Sequence, residues 1–178
     1  MRIMIIGSGA MGCLYGAKIA ESGHEVVMID ARREVVDTIN RDGIRLESAD
    51  KKRCIEVAAT MPDGDLEAAE VIIVLSHTDA NPAVAITAKR LLAQNGFAIT
   101  LQNGIGNVEA LVETLGSQRV LGGISYNSAT GLGPGHTKHT NPGPTWIGEI
   151  DGHRSSHIDA LQDVLEGAVQ RQSAERRV

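Results

Sequence analysis

Three glycines and two charged side chains near the start of the chain carry the first chemical signal. Gly7, Gly9 and Gly12 stand in the run Gly7-Ser8-Gly9-Ala10-Met11-Gly12, directly after the apolar run Arg2–Ile6. Asp30 closes a second apolar run, Glu25–Ile29, about 18 residues past the last glycine. This is the spacing at which a backbone receives a dinucleotide pyrophosphate. Gly7 permits the tight turn off the strand, Gly9 lets the phosphates approach without a Cβ in the way, and Gly12 brings the next helix close to the sheet. Helix amides and the helix dipole then face the anion, with Ser8, Ala10 and Met11 of the turn as further cofactor-binding candidates. Asp30 suits the free ribose hydroxyl of NAD, whereas Arg32 stands where the 2′-phosphate of NADP would lie. These two signals conflict. A solvated helix start is the other reading of Arg32 and Arg33, weakened because cations oppose the dipole at a helix N-terminus.

Further candidates sit at the ends of later apolar runs. Asn103 follows residues 97–101, at the carboxyl end of an expected parallel strand, and its amide can donate and accept near a nicotinamide or a carbonyl. It is the candidate catalytic residue; an Asn-Gly turn that only starts the next helix is the alternative. His77 lies just past residues 71–75 and could hydrogen-bond a ribose or phosphate, or simply face solvent. His136, His139, His153 and His157 have no paired ligand spacing, so no metal site is assigned and exposed loop histidines are expected. Cys13 and Cys54 form no metal or disulfide pattern and are expected to be buried thiols.

The elements that must position these residues follow from apolar periodicity. Strand, glycine turn, helix (Met11, Leu14, Ala17 and Ala20 on one side) and strand make a βαβ unit. Val35, Val36 and Ile39 predict a second helix ending at Gly43; residues 43–47 and 53–58 predict short strands. The β-branched run at 71–75 reads as a strand buried on both faces. Asn81-Pro82 then reads as a cap, and Val84, Ala88, Leu91 and Leu92 as a buried helix face. Val108, Leu111, Val112 and Leu115 predict another helix, and residues 119–124 one more strand. Residues 136–140 and 145–149, flanking Pro142-Gly143-Pro144, predict an antiparallel hairpin at the sheet edge. A last helix starts near Ser155, with Asp159 completing a capping box and Ile158, Leu161, Leu165 and Ala168 along one side. The fold class is therefore α/β, a Rossmann-type, doubly wound, mostly parallel sheet with an antiparallel edge hairpin. Residues 1–168 form the dinucleotide-binding domain and residues 169–178 a polar tail.

Composition limits the partners. A formal net charge of −5 gives no basic face for nucleic acid, and no apolar run approaches the roughly 20 residues that span a bilayer. No targeting leader is visible, so the cytoplasm is the expected location.

Beyond the glycine motif, Tyr15-Gly16, the run Leu101-Gln102-Asn103-Gly104-Ile105-Gly106-Asn107, Val120-Leu121-Gly122-Gly123, Gly133-Pro134-Gly135 and Ile147-Gly148-Glu149 occur in an order that resembles the N-terminal domain of the ketopantoate reductase (2-dehydropantoate 2-reductase) family. The resemblance covers roughly residues 1–165. It implies NADPH as cofactor, NAD being the weaker candidate, and reduction of a 2-oxo acid, ketopantoate to pantoate. It matches Asn103 to an asparagine that contacts cofactor and substrate. His77 stands where the family commonly has a lysine, a departure, since a histidine does not reproduce a fixed ammonium charge. Glu149 faces either the cleft or its own strand pair. The family's helical C-terminal domain, which supplies a lysine general acid and a glutamate to the substrate, has no counterpart in this sequence. A second reading is a non-catalytic nucleotide-binding module, or a subunit needing a partner chain. With that domain missing, the apolar side of the last helix predicts a homodimer or a partner chain.

Overall fold

In the computed structural model, residues 1–49, 51–166 and 171–173 are described. Strands β1 (Arg2–Ile6) and β2 (Glu25–Ile29) flank helix α1 (Ala10–Glu21), and α2 (Arg33–Asp42) follows. Then come β3 (Ile44–Ser48), β4 (Lys51–Ile55), β5 (Ala58–Thr60) and β6 (Ala69–Val74). Helix α3 (Asn81–Leu91), β7 (Leu92–Thr100), α4 (Asn107–Leu115) and β8 (Val120–Ser125) continue the alternation. The last elements are β9 (Ser128–Gly133), β10 (His136–Asn141), β11 (Thr145–Glu149), α5 (Ser156–Glu166) and β12 (Arg171–Ser173).

The main sheet has the order β12-β11-β8-β7-β6-β1-β2-β5, parallel except where β11 meets β8. Alternate residues of β1 explain why both faces are covered: Ile3 and Ile5 join a core with α1 and α5, Met4 and Ile6 a core with α3 and α4. Chain order reverses between β1 and β6, so their carboxyl ends open the crevice where doubly wound sheets bind ligands. A smaller sheet, β4-β3-β10-β9, packs against α1. The two short strands expected after Gly43 thus belong partly to this second sheet, with β5 alone extending the main one.

Several expectations are corrected. Residues 136–140 do not pair with 145–149: β10 pairs antiparallel with β9, and β11 with β8. The hairpin turn is Pro134-Gly135, with Gly135 at φ +61°, the pairing of proline and left-handed glycine that a type II turn needs. Pro142-Gly143-Pro144 instead carries the chain between sheets, held by Asn127, whose amide donates to the Gly143 carbonyl at 2.8 Å. The apolar side of α5 is not exposed: Ile158, Leu161, Val164 and Leu165 are all buried in the core with Phe97, Leu121 and Ile147. It therefore gives no patch for self-association. Ala168 lies outside the described residues. Asp159 pairs with Arg154 (2.9 Å) rather than closing a capping box, and Ser155 caps the helix through the amide of His157. Asn81 is the first residue of α3, not its cap, because its side chain is spent on Gln102 and Asn107. Cys54 is exposed, although Cys13 is buried as expected. Within the segment expected to be a polar tail, β12 pairs parallel with β11, and the remaining residues lie outside the described ones.

Candidate functional site

The three glycines do different work. Gly7, at φ +102°, passes so close to the end of β6 that a Cβ would stand 2.6 Å from the Ser76 nitrogen. A Cβ on Gly12 would stand 1.8 Å from the Gly7 carbonyl oxygen, so helix α1 can sit on the turn only as glycine. A Cβ on Gly9 would meet nothing within 4 Å. Its outer side is open space at the start of a helix that has no capping side chain. The first-turn amides of such a helix, including those of Ala10 and Met11, have no intrahelical acceptor. Ser8, 4% exposed, leaves its hydroxyl without a hydrogen-bond partner among the described residues, an uncompensated polar group in the same crevice. Cradle, free amides and orphaned hydroxyl fit a pyrophosphate.

Asp30 holds this turn together. Its carboxylate accepts from the Ser8 amide at 2.8 Å, from the Arg32 amide at 3.0 Å, and from Nε and Nη2 of Arg32 at 2.9 Å each. Burial pushes the Asp30 carboxyl up, but those hydrogen bonds and the guanidinium charge outweigh it and hold the group below the usual carboxylate range. The Asp30 side chain is 7% exposed and that of Arg32 is 62% exposed. What the strand end presents outward is the guanidinium.

Asn103 and His77, both exposed, lie on the neighbouring loops after β7 and β6. The Thr78 hydroxyl donates to the Asn103 carbonyl at 3.4 Å, which brings the two loops together. Beyond Asn103 a cavity of about 640 Å3 runs along the carboxyl ends of β7 and β8 to β11. Ile105, Ile124, Trp146 and Ile150 give it apolar walls, and among the described residues Glu109 and Glu149 are its only charged lining groups. Glu149 turns partly inward, accepting from the Ser155 hydroxyl and lying 3.8 Å from His157 Nδ1.

The other histidines are not all loop residues in water. His136 lies in β10 and bonds Glu47 (3.0 Å), His139 bonds Asn127 (3.0 Å), and His157 stacks on Phe97 with centroids 4.6 Å apart. His153 is exposed. Among the described residues no group of histidine, cysteine and acidic side chains is arranged to hold a metal ion, and no helix is long and apolar enough to cross a membrane. Sequence reasoning missed two polar clusters. One joins Gln102, Asn81 and Asn107 beneath the Asn103 loop. The other surrounds the buried Tyr15 hydroxyl, 2.8 Å from Ser125 Oγ and 2.6 Å from Thr145 Oγ1. Amides and hydroxyls at strand ends were the available signal, but their partners come from distant parts of the chain.

Comparison with known proteins agrees with this architecture. A 2-dehydropantoate 2-reductase of Pyrococcus abyssi is 31% identical over 169 residues, covering 94% of this chain and 54% of its own length. The chain thus spans about half the length of the curated relatives it matches. The crystal structure of a PanE/ApbA family ketopantoate reductase from Ralstonia eutropha superposes with a TM-score of 0.87 at 26% identity, over 99% of this chain and 57% of the other. The ternary structure of a D-mandelate dehydrogenase with NADH and anilino(oxo)acetate has the same fold, with a TM-score of 0.91 at 22% identity over 98% of this chain and 57% of that one. The family model of ketopantoate reductase PanE/ApbA matches residues 3–152, most of the sequence, and the chain belongs to that family.

Proposed function

We propose that this chain binds NADPH at the Gly7–Gly12 turn and supplies the cofactor-binding half for reduction of a 2-oxo acid, ketopantoate to pantoate. The observation that carries the reading is the glycine cradle: Gly7 and Gly12 closed against backbone, Gly9 open, and a buried Ser8 hydroxyl with no partner. The family membership supports the reaction class. NADPH is preferred over NADH because Asp30, occupied by Ser8 and Arg32, has little left for a ribose hydroxyl, while the exposed guanidinium can pair with a 2′-phosphate. Bound NADPH supplies the hydride for the carbonyl carbon. The chain's own residues then bind and orient: the Ser8 hydroxyl and the Ala10 and Met11 amides at the pyrophosphate, Arg32, held by Asp30, at the 2′-phosphate, His77 at a ribose or phosphate, and Asn103 donating to the carbonyl oxygen.

A second reading rests on the cavity next to Asn103. A 2-oxo acid needs a cation for its carboxylate and a proton for its new alcohol, yet among the described residues the cavity is lined by carboxylates and no lysine, arginine or histidine. The chain alone therefore binds cofactor without turnover, and a further segment or a partner chain provides the cation and the proton. Titration of the chain with NADPH and NADH, followed by nicotinamide fluorescence, tests the first reading. Saturable binding tighter for NADPH is expected; equal or absent binding would overturn it. Addition of ketopantoate then separates the readings, because loss of NADPH absorbance by the chain alone contradicts the second.

A further inference from the structure

The loop that carries Asn103 is held from below by a row of amides, buried at Asn81 and Asn107 and half-buried at Gln102, that all point the same way. The Thr100 hydroxyl donates to Gln102 Oε1 at 2.9 Å, and Gln102 Nε2 donates to Asn81 Oδ1 at 3.0 Å and to the Ser76 carbonyl at 2.9 Å. Asn81 Nδ2 donates to Asn107 Oδ1 at 2.8 Å. Asn107 Nδ2 then donates to the carbonyls of Asn103 at 3.0 Å and Gly104 at 3.4 Å. Each amide receives on its oxygen and gives from its nitrogen, so the chain has one direction and ends on the backbone of Asn103. Thr100, Asn81 and Asn107 are 2%, 8% and 3% exposed, too deep for water to replace a lost link.

We infer that Asn81 is a positioning residue for the nicotinamide end of the site, an inference that rests on the dinucleotide reading above. Asn81 does not line the cavity beside Asn103. It acts through Gln102 and Asn107, and so ties the Ser76 carbonyl, beside Gly7, to the Asn103 and Gly104 carbonyls. The direction of the row cannot be reversed. If Asn107 turned its amide to serve an acceptor at position 81, its oxygen would face two carbonyls, acceptor against acceptor. The loop would then have to move.

The test is Asn81→Asp, which keeps shape and the acceptor for Gln102 but removes the donor to Asn107, with Asn81→Leu as a second break. NADPH and 2′-phospho-ADP-ribose, which lacks the nicotinamide, are titrated against each folded variant, and melting temperatures are recorded alongside. Loss of about tenfold in NADPH affinity is expected for one broken buried hydrogen bond, with the fragment's affinity kept within about threefold of wild type. Unchanged NADPH affinity, or equal losses for both ligands, overturns the inference. If the wild type binds the fragment and NADPH with no nicotinamide increment, there is nothing to position and the inference also fails. Absence of any binding by the wild type would instead overturn the dinucleotide reading. Should Asn81→Leu fail to fold, Asn81→Asp decides alone, since a carboxylate in the first turn of α3 is favoured by the helix dipole.

Discussion

The two ends of the crevice are built by different means. At the Gly7–Gly12 end the ligand surface is backbone, and its position is fixed by contacts that leave no room for a Cβ on Gly7 or Gly12. Its one buried carboxylate, Asp30, is fully engaged. At the Asn103 end the surface is side chain, with exposed Ile105 (94%) and Ile124 (58%), two carboxylates, and a loop carried on buried amides. The first end is preorganised by the chain's own backbone. The second is apolar and acidic, where the proposed 2-oxo acid would need a cation. On the proposed function, holding the cofactor and completing the reaction are separable, and substitutions at each end should fail in different ways.

The largest effect is expected from two neighbouring glycines. Gly12→Val drives a side chain into the Gly7 carbonyl, which neither backbone can avoid, and should abolish cooperative folding, seen as loss of the thermal transition. Gly9→Val meets open space at φ −73°, an ordinary conformation for valine, so the melting temperature should stay near wild type while dinucleotide binding disappears. Retained NADPH affinity in a folded Gly9→Val chain would contradict a pyrophosphate site at this turn. Next in size is Arg32→Ala. Loss of a charge-assisted pair with the 2′-phosphate should cost about 1 to 3 kcal/mol of NADPH binding and leave NADH nearly unchanged. Equal losses would place Arg32 among the residues that merely hold Asp30. At the other end, Asn103→Ala should cost only about 1 kcal/mol of NADPH binding, because one exposed amide contact is removed, and nothing for 2′-phospho-ADP-ribose. A loss shared by both ligands would mean that the two ends are not separable.

The same contrast explains what could be read from the sequence. Gly7, Gly9, Gly12, Asp30 and the apolar runs are local patterns, since a βαβ unit is specified within about 30 consecutive residues. The doubly wound sheet followed from strands that alternate with helices. Long-range pairings did not. Nothing local tells residues 136–140 to join β3 and β9 in a second sheet while 145–149 join β8, because both segments show strand periodicity and prolines between them suggest a turn. The side of α5 that reads as available for a partner is covered by Phe97, Leu121 and Ile147, which lie 61, 37 and 11 residues before Ile158 and meet it only in the folded sheet. Asn81 illustrates the limit best: an asparagine before proline at a helix start reads as a cap, but the deeper amides of Gln102 and Asn107 compete for it and win.

The smallest expected effect is a pH dependence of stability at the Gly7–Gly12 end. In the folded chain the Asp30 carboxyl is held below its usual range despite burial, whereas in the unfolded chain it titrates near the model-peptide value of about 3.9. A group whose folded value is depressed contributes stability above its unfolded value and loses it as the pH falls through the folded one. Wild type should therefore lose part of its stability as the pH drops below about 4, beyond what other carboxylates cause. Asp30→Asn keeps one acceptor oxygen but turns the other into a nitrogen that cannot receive the Ser8 amide or the guanidinium. The variant should melt lower than wild type at pH 7, and the gap should narrow on acidification, because the protonated carboxyl of wild type comes to resemble the amide. Melting curves of both chains from neutral pH down to pH 3 read this directly. A gap that stays constant with pH would mean that Asp30 holds the turn by shape alone, and the preorganisation of the phosphate end would then rest on the glycine contacts without the charge.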